Sequence, residues 1–393
     1  MSARDPAGGR AGGTTAKVEV ATDVASRAER LHRAALVIDL HADTPSHSLL
    51  RPRYDFSRRH RRGHVDLPRL RDGGVDAQFF IAFVSDECGG RDDAAFRHAM
   101  RQVEAVRRMV ERTPGIRLAT SAADIEAAAA DGEVAALIGV EGGHAIGTSL
   151  DRLRAFYDLG ARYLTLTWNN TNEWADACCS PPRHGGLSPF GRAVIAEMNR
   201  LGMLVDLSHV AESTFWAAIE TTSAPVIVSH SNARALADHP RNLTDRQLRA
   251  ITANGGVIGV NFYAAFLDAS LAPWCERIQA RAEALARRLR RWHHPARARK
   301  LAEQWADRRL ARLPAVPLDA VVDHIRYMAD VAGPAHVALG SDFDGIRVTP
   351  RGLEDVSRLP RLTELLVRRG FNDDEIRGIL GANFLRVFRS VTA

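Results

Sequence analysis

Three apolar, strand-like runs end in a histidine. LVIDLHAD carries His41 with Asp43 two residues on, GMLVDLSH ends on His209, and PVIVSH ends on His230. A fourth run, VAALIGVEGG, ends on Glu141, and a fifth, HVALGSDFDG, ends on Asp342 and Asp344. Imidazole nitrogens and carboxylate oxygens are zinc ligands, and His41, Asp43, Glu141, His209 and His230 are too many for one catalytic zinc with an open position. They suit two Zn²⁺ ions, with Glu141 bridging them and a shared hydroxide as the nucleophile of a hydrolysis. Asp342 then has the place of a general acid/base. Asp344 competes for that role, but alternation along LGSDF puts Asp342 nearer the strand and Asp344 in the turn with Gly345. Arg241, in HPRNLTD, offers a fork of donors for a substrate carboxylate.

Each residue has a plainer reading in isolation: a hydrogen-bonded core histidine, a loop carboxylate, a solvated arginine. Their shared position at strand ends argues for chemistry. His64, His144, His184, His239, His293, His294 and His324 fall in loops or helices and are read as structural.

Such residues need a scaffold that brings many strand ends together. Eight apolar, β-branched runs occur at 36–42, 76–84, 134–140, 162–168, 203–208, 225–229, 256–262 and 336–341. Nearly all are continuous rather than alternating, as in strands buried on both faces of a parallel sheet. Helical patterns separate most of them, among them DDAAFRHAMRQVEAVRRMVERT, TSAADIEAAAADG, SLDRLRAFYDLGA, SPFGRAVIAEMNRLG and TDRQLRAITANGG; the last four open on Ser, Thr or Pro and close on Gly. This alternation predicts a (β/α)8 TIM-like barrel, whose functional groups gather at the C-terminal mouth of the strands. Residues 44–74 form a long basic first loop, and 263–315 insert a helical pair between the seventh and eighth strands. Two amphipathic segments after Asp344 are expected to pack as helices on the exterior.

One domain, 25–393, is expected after a disordered polar tail, 1–24. The tail lacks the apolar stretch of a secretory signal, and no run approaches a membrane span, so a soluble cytoplasmic protein is expected. Cys88, Cys178, Cys179 and Cys275 have no zinc-ribbon spacing and are read as reduced and unliganded. The net charge of +6 raises nucleic acid as a partner. The arginines, however, cluster in 51–64 and 281–312, the second stretch interspersed with Glu, Asp, Leu and Trp, which suits solvated amphipathic helices better. Neither nucleic acid nor membrane is expected as a partner.

Taken as a set, DLHAD, HVDLPRLRDGGVDAQFF, GVEGGH, RYLTLTW, GGLSPFGRAVIAEMNRLGMLVDLSHV, PVIVSHSNAR, HPRNLTD, VALGSDFDG and GLEDVSRLPRLTELLVRRGF resemble the membrane (renal) dipeptidase family of zinc peptidases, in order from about residue 31 to 389. The resemblance implies a (β/α)8 barrel, a binuclear zinc centre, hydrolysis of dipeptides that often tolerates a C-terminal D-residue, β-lactam opening in some members, and a homodimer. It places the zinc ligands on His41, Asp43, the bridging Glu141, His209 and His230, the carboxylate-gripping arginine on Arg241, and the catalytic aspartate on Asp342. Family members commonly carry an oxyanion-steadying histidine after LTLT, where this chain has Trp168. An indole donates one hydrogen bond but cannot become a cation, and loss of an oxyanion donor costs on the order of a hundredfold in rate. Asn169 or Asn170 is then the candidate replacement donor, with Trp168 walling the substrate pocket. The rival readings are a deacylase of N-acyl amino acids on the same barrel and a metal-binding homologue with impaired catalysis.

Overall fold

Nine parallel strands alternate with helices in the computed structural model, which describes residues 12–85 and 93–392. They are β1 (Ile38–Ala42), β2 (Ala77–Phe83), β3 (Ile116–Leu118), β4 (Val134–Glu141), β5 (Ala161–Thr165), β6 (Leu204–Asp206), β7 (Ile227–Ser231), β8 (Val257–Val260) and β9 (Val337–Leu339). Eight close into a ring in the order β2-β1-β9-β8-β7-β6-β5-β4, sealed by the β2–β4 pairing. The expected (β/α)8 barrel is therefore present, and its strands are the eight apolar runs. The ninth, β3, lies outside the ring. It pairs with β4 through Ile116↔Val134 and Leu118↔Ala136, whereas the later half of β4 pairs with β5.

The cap signals work as read at three of four helices. Ser121, Ser188 and Thr244 accept backbone hydrogen bonds from Asp124, Gly191 and Gln247, which satisfies first-turn donors; Ser149 makes no such bond. The insertion between the seventh and eighth barrel strands, β8 and β9, holds the helices Ala264–Leu267, Ala272–Leu289 and Pro295–Leu310. Arg347, just after β9, clamps the third of these through Asp307 at 2.8 Å and Glu303 at 3.6 Å.

Helices Leu359–Arg368, Asp373–Arg377 and Asn383–Thr392 follow β9 outside the strand wall. The last one covers the floor of the barrel: Phe384 and Phe388 stack on each other and pack edge-on against Phe79 of β2 at 5.5 and 6.3 Å. Asn383 donates to the carbonyls of Pro334 and Val337 where β9 begins. The segment set aside as a tail, 1–24, lies outside the described residues up to residue 11, and from Gly12 it belongs to the helix Gly12–Ala34. Cys88 also lies outside the described residues.

The two strands that hold His41 and His230, β1 and β7, each carry an extra residue. In β1, Asp39 pairs with Gln78 but Ala42 pairs with Phe80; in β7, Val228 pairs with Ile258 but Ser231 pairs with Val260. Such bulges re-aim a side chain, and they fall on the stretches holding His41 and His230.

Candidate metal centre

The three histidines are held alike. The Nδ1–H of His41 donates to the Tyr163 hydroxyl (3.0 Å), which donates to the carbonyl of Leu40 (3.0 Å). The Nδ1–H of His230 donates to Ser229 Oγ (2.8 Å), which donates to Asp206 (2.7 Å). The Nδ1–H of His209 donates to Asn169 Oδ1 (2.9 Å). Each pairing fixes the tautomer that leaves the Nε2 lone pair free, as outer hydrogen bonds do for metal-binding histidines. Gly139 makes room for the first: a Cβ there would sit 2.4 Å from Tyr163 Cζ. His209 itself is in the left-handed region (φ 68°), as are Asp342 (62°) and Asp344 (67°). Non-glycine residues hold this conformation at a cost of roughly 1–3 kcal/mol, and such strain concentrates at functional sites.

The Nε2 atoms and carboxylates converge. Glu141 Oε1 lies 2.9 Å from His209 Nε2 and 3.6 Å from His230 Nε2, while Glu141 Oε2 lies 3.5 Å from His41 Nε2. Asp43 Oδ2 stands 3.5 Å from the same His41 nitrogen. His41, Glu141 and His230 present ligand atoms within 4.8 Å of one another, and so do His41, Asp43 and Asp342. One oxygen of Glu141 thus faces His41 and the other faces the His209–His230 pair, the disposition a bridging carboxylate needs.

The residues fit zinc. His41 Nε2 and Asp43 Oδ1 are buried without a hydrogen-bond partner among the described residues, which costs about 1–3 kcal/mol for each group left so. The Nε2 atoms of His209 and His230 lie 2.9 Å apart, and two lone pairs at that separation call for a positive charge beside them.

Burial shapes the electrostatics. It lowers His230 well below the ordinary histidine value and, with Arg241 nearby, lowers His209 to about 4, so both stay neutral. Burial would also lower His41, but the facing carboxylates of Glu141 and Asp43 outweigh it and raise that imidazole. Burial would raise Glu141, yet His41 and His209 hold it low and ionised. For Asp342, burial and the charges of Asp43 and Glu141 outweigh the pull of His41 and raise the carboxyl to about 7.

The two late aspartates separate clearly. Asp344 accepts from Thr44 Oγ1 (2.7 Å) and the backbone N–H of His64 (2.6 Å), and its own N–H donates to His64 Nδ1 (2.8 Å). Its carboxylate fastens the long first loop to the barrel. The Asp342 carboxylate accepts from Asn261 Nδ2 at 3.0 Å and otherwise stands with His41 and Asp43.

Arg241 is buried beside this cluster. Its guanidinium donates to the His230 carbonyl (3.2 Å) and lies over the Phe266 ring (5.3 Å), and its Nε has no partner among the described residues. Trp168 is half-buried, edge-on to Phe83 with centroids 5.1 Å apart and 6.4 Å from the His209 ring. Asn169, expected to contact substrate, orients His209; Asn170 Oδ1 is buried and unpartnered among the described residues.

Other histidines hold the backbone: His184 donates to Asn172, His239 accepts from Arg241 N–H, and His324 bridges Ala233 and Leu267. Cys178, Cys179 and Cys275 are free thiols. The supporting residues Tyr163, Asp206, Ser229 and Asn261 escaped the sequence reading. A polar residue inside an apolar strand, as Asp206 is in GMLVDLSH, was the available signal.

A family model described as Membrane dipeptidase (Peptidase family M19) matches residues 25–393. Dipeptidase 3 of Rattus norvegicus is 37% identical over 84% of this chain and 59% of its own length. Dipeptidase 3 of Homo sapiens is 35% identical over 96% of this chain and 70% of its own length. The chain thus spans under two thirds of the rat protein. A crystal structure of a metallopeptidase from Rhodobacter sphaeroides, liganded with a phosphinate mimic of the dipeptide L-Ala-D-Ala, covers 91% of this chain and 99% of its own at 26% identity and a TM-score of 0.75.

Proposed function

This chain belongs to the membrane dipeptidase family, peptidase family M19, and we propose that it is a dipeptidase whose His41, Asp43, Glu141, His209 and His230 hold two zinc ions. The division of Glu141 between two nitrogen groups carries the binuclear reading: Oε2 is 3.5 Å from His41 and Oε1 is 2.9 Å from His209. Bound there, the ions supply an activated water near neutral pH and polarise the scissile carbonyl. Asp342, which accepts from Asn261 Nδ2 at 3.0 Å and stands beside His41 and Asp43, takes the proton of the attacking water and returns it to the departing amine.

Arg241 grips the free carboxylate of the dipeptide and so sets the distance from chain end to scissile bond. A D-residue at that end is tolerated in this reading, which the ligand of the Rhodobacter sphaeroides structure supports. Residues 25–393 act as one catalytic domain, the extent matched by the family model, and the enzyme is a homodimer. No helix among the described residues is long and apolar enough to cross a membrane.

Turnover of a dipeptide library by the zinc-loaded protein tests the reading against its rival, a deacylase of N-acyl amino acids. Dipeptides with a free amino terminus should be cleaved and their N-acetyl counterparts spared. The reverse order would establish the deacylase.

A further inference from the structure

Phe83 and Trp168 form an aromatic ledge on the rim of the barrel. Phe83 ends β2 and is the register partner of Glu141, which is in turn the register partner of Thr165, three residues before Trp168. The Phe83 backbone is well fixed, because Gln102 accepts from its N–H at 3.2 Å and donates to its carbonyl at 2.6 Å. Both aromatic residues are half-buried, and they meet edge to face at 68°. The ledge therefore stands beside the bridging glutamate with apolar surface still uncovered.

Its place relative to Arg241 gives it meaning. Arg241 donates to the carbonyl of His230 and so sits over the end of β7. From β2, the strand β7 is four steps away in either direction, through β1, β9 and β8 or through β4, β5 and β6. Strands four apart in a ring of eight are diametrically opposed. A dipeptide anchored by its carboxylate at Arg241, with its scissile carbonyl at the central metal ligands, projects its amino-terminal residue toward β2.

Resting on the dipeptidase reading, we propose that Phe83 and Trp168 determine specificity by seating the amino-terminal side chain of the substrate, and that the preferred substrates are dipeptides beginning with an aromatic or large aliphatic residue. Such a side chain covers the exposed parts of both rings, gaining apolar burial and aromatic contact. Replacing a methyl by a benzyl group at such a site is expected to change kcat/KM by about tenfold or more.

The test compares Phe-Ala, Leu-Ala, Ala-Ala and Ala-Phe with the zinc-loaded full chain, alongside calorimetric titration with phosphinate analogues of Phe-Ala and Ala-Ala. Wild type should favour Phe-Ala over Ala-Ala by about tenfold in kcat/KM and in Kd. Trp168→Ala should cut both ratios below about threefold, and Phe83→Leu, which keeps bulk and fold, should lower them in the same direction. Turnover of Ala-Ala as fast as Phe-Ala, ratios that survive both substitutions, or a preference that resides in Ala-Phe would overturn the proposal while leaving the dipeptidase reading intact. Failure to cleave or bind any of these compounds would overturn both.

Discussion

The Tyr163 hydroxyl lies 3.0 Å from Nδ1 of His41 and 3.0 Å from the carbonyl of Leu40, so it accepts from the imidazole and donates to the backbone. Tyr163→Phe removes the acceptor but keeps the ring that fills the space over Gly139. His41 would then lose control of its tautomer, and zinc affinity should fall about 10–100-fold, as it does when outer partners of ligand histidines are removed. Competition with a chelator measures this; unchanged affinity would remove Tyr163 from the account of the site.

Elemental analysis should find about two zinc ions per chain in the wild type, and Glu141→Ala should retain one or none because both ion positions lose the shared carboxylate. Retention of two ions by Glu141→Ala would end the bridging assignment.

Asp342→Asn should lower kcat by on the order of 10² or more with zinc content and melting temperature little changed. Asp344→Asn should show the opposite pattern. Its buried carboxylate accepts from Thr44 and His64, and losing charge-assisted bonds of this kind costs about 1.5–3 kcal/mol each. If kcat proved more sensitive at Asp344, the two roles would be exchanged.

Arg241→Ala should depress kcat/KM for dipeptides, and amides of the same dipeptides should be poor substrates of the wild type, because the bidentate partner of the guanidinium is gone. Equal rates on free dipeptides and their amides would argue against carboxylate recognition.

His324 gives the fold an acid limit. It is buried in the helix Leu318–Ala332, accepts from Ala233 N–H at Nδ1, and is lowered by burial to about 4 from an ordinary 6.5. The unfolded chain therefore takes up this proton first as pH falls. The contribution of the neutral ring is complete above about 6.5 and is lost toward pH 4, amounting to roughly 3 kcal/mol at most. The melting-temperature gap between wild type and His324→Asn should be widest above pH 7 and narrow on acidification; a gap independent of pH would exclude the ring from acid unfolding.

Much of this arrangement was legible because a buried parallel strand is written as an unbroken apolar run and ends visibly where polar chemistry begins. His41, Glu141, His209 and Asp342 each stand at such an end, and the structure brings them together. Local pattern could not reveal what depends on pairing across the sheet. The bulges that aim His41 and His230 exist only in the register with β2 and β8, and the Tyr163–His41 contact joins residues 122 positions apart. β3 has three residues, too few to show a period, and the helix Glu212–Thr221 opens without a capping side chain. The distinct duties of Asp342 and Asp344 likewise rest on Thr44 and His64, far away in the chain.

The aromatic floor has a consequence for biosynthesis. The helix Asn383–Thr392 follows every strand in chain order, yet its Phe384 and Phe388 pack against Phe79. A nascent chain on the ribosome can therefore present all nine strands while this helix is still in the exit tunnel, and its barrel would be open at the base with Phe79 wetted. Emergence of this helix, rather than of the final strand, is then the event that lets the catalytic barrel seal, and chaperone demand should peak in the interval between the two.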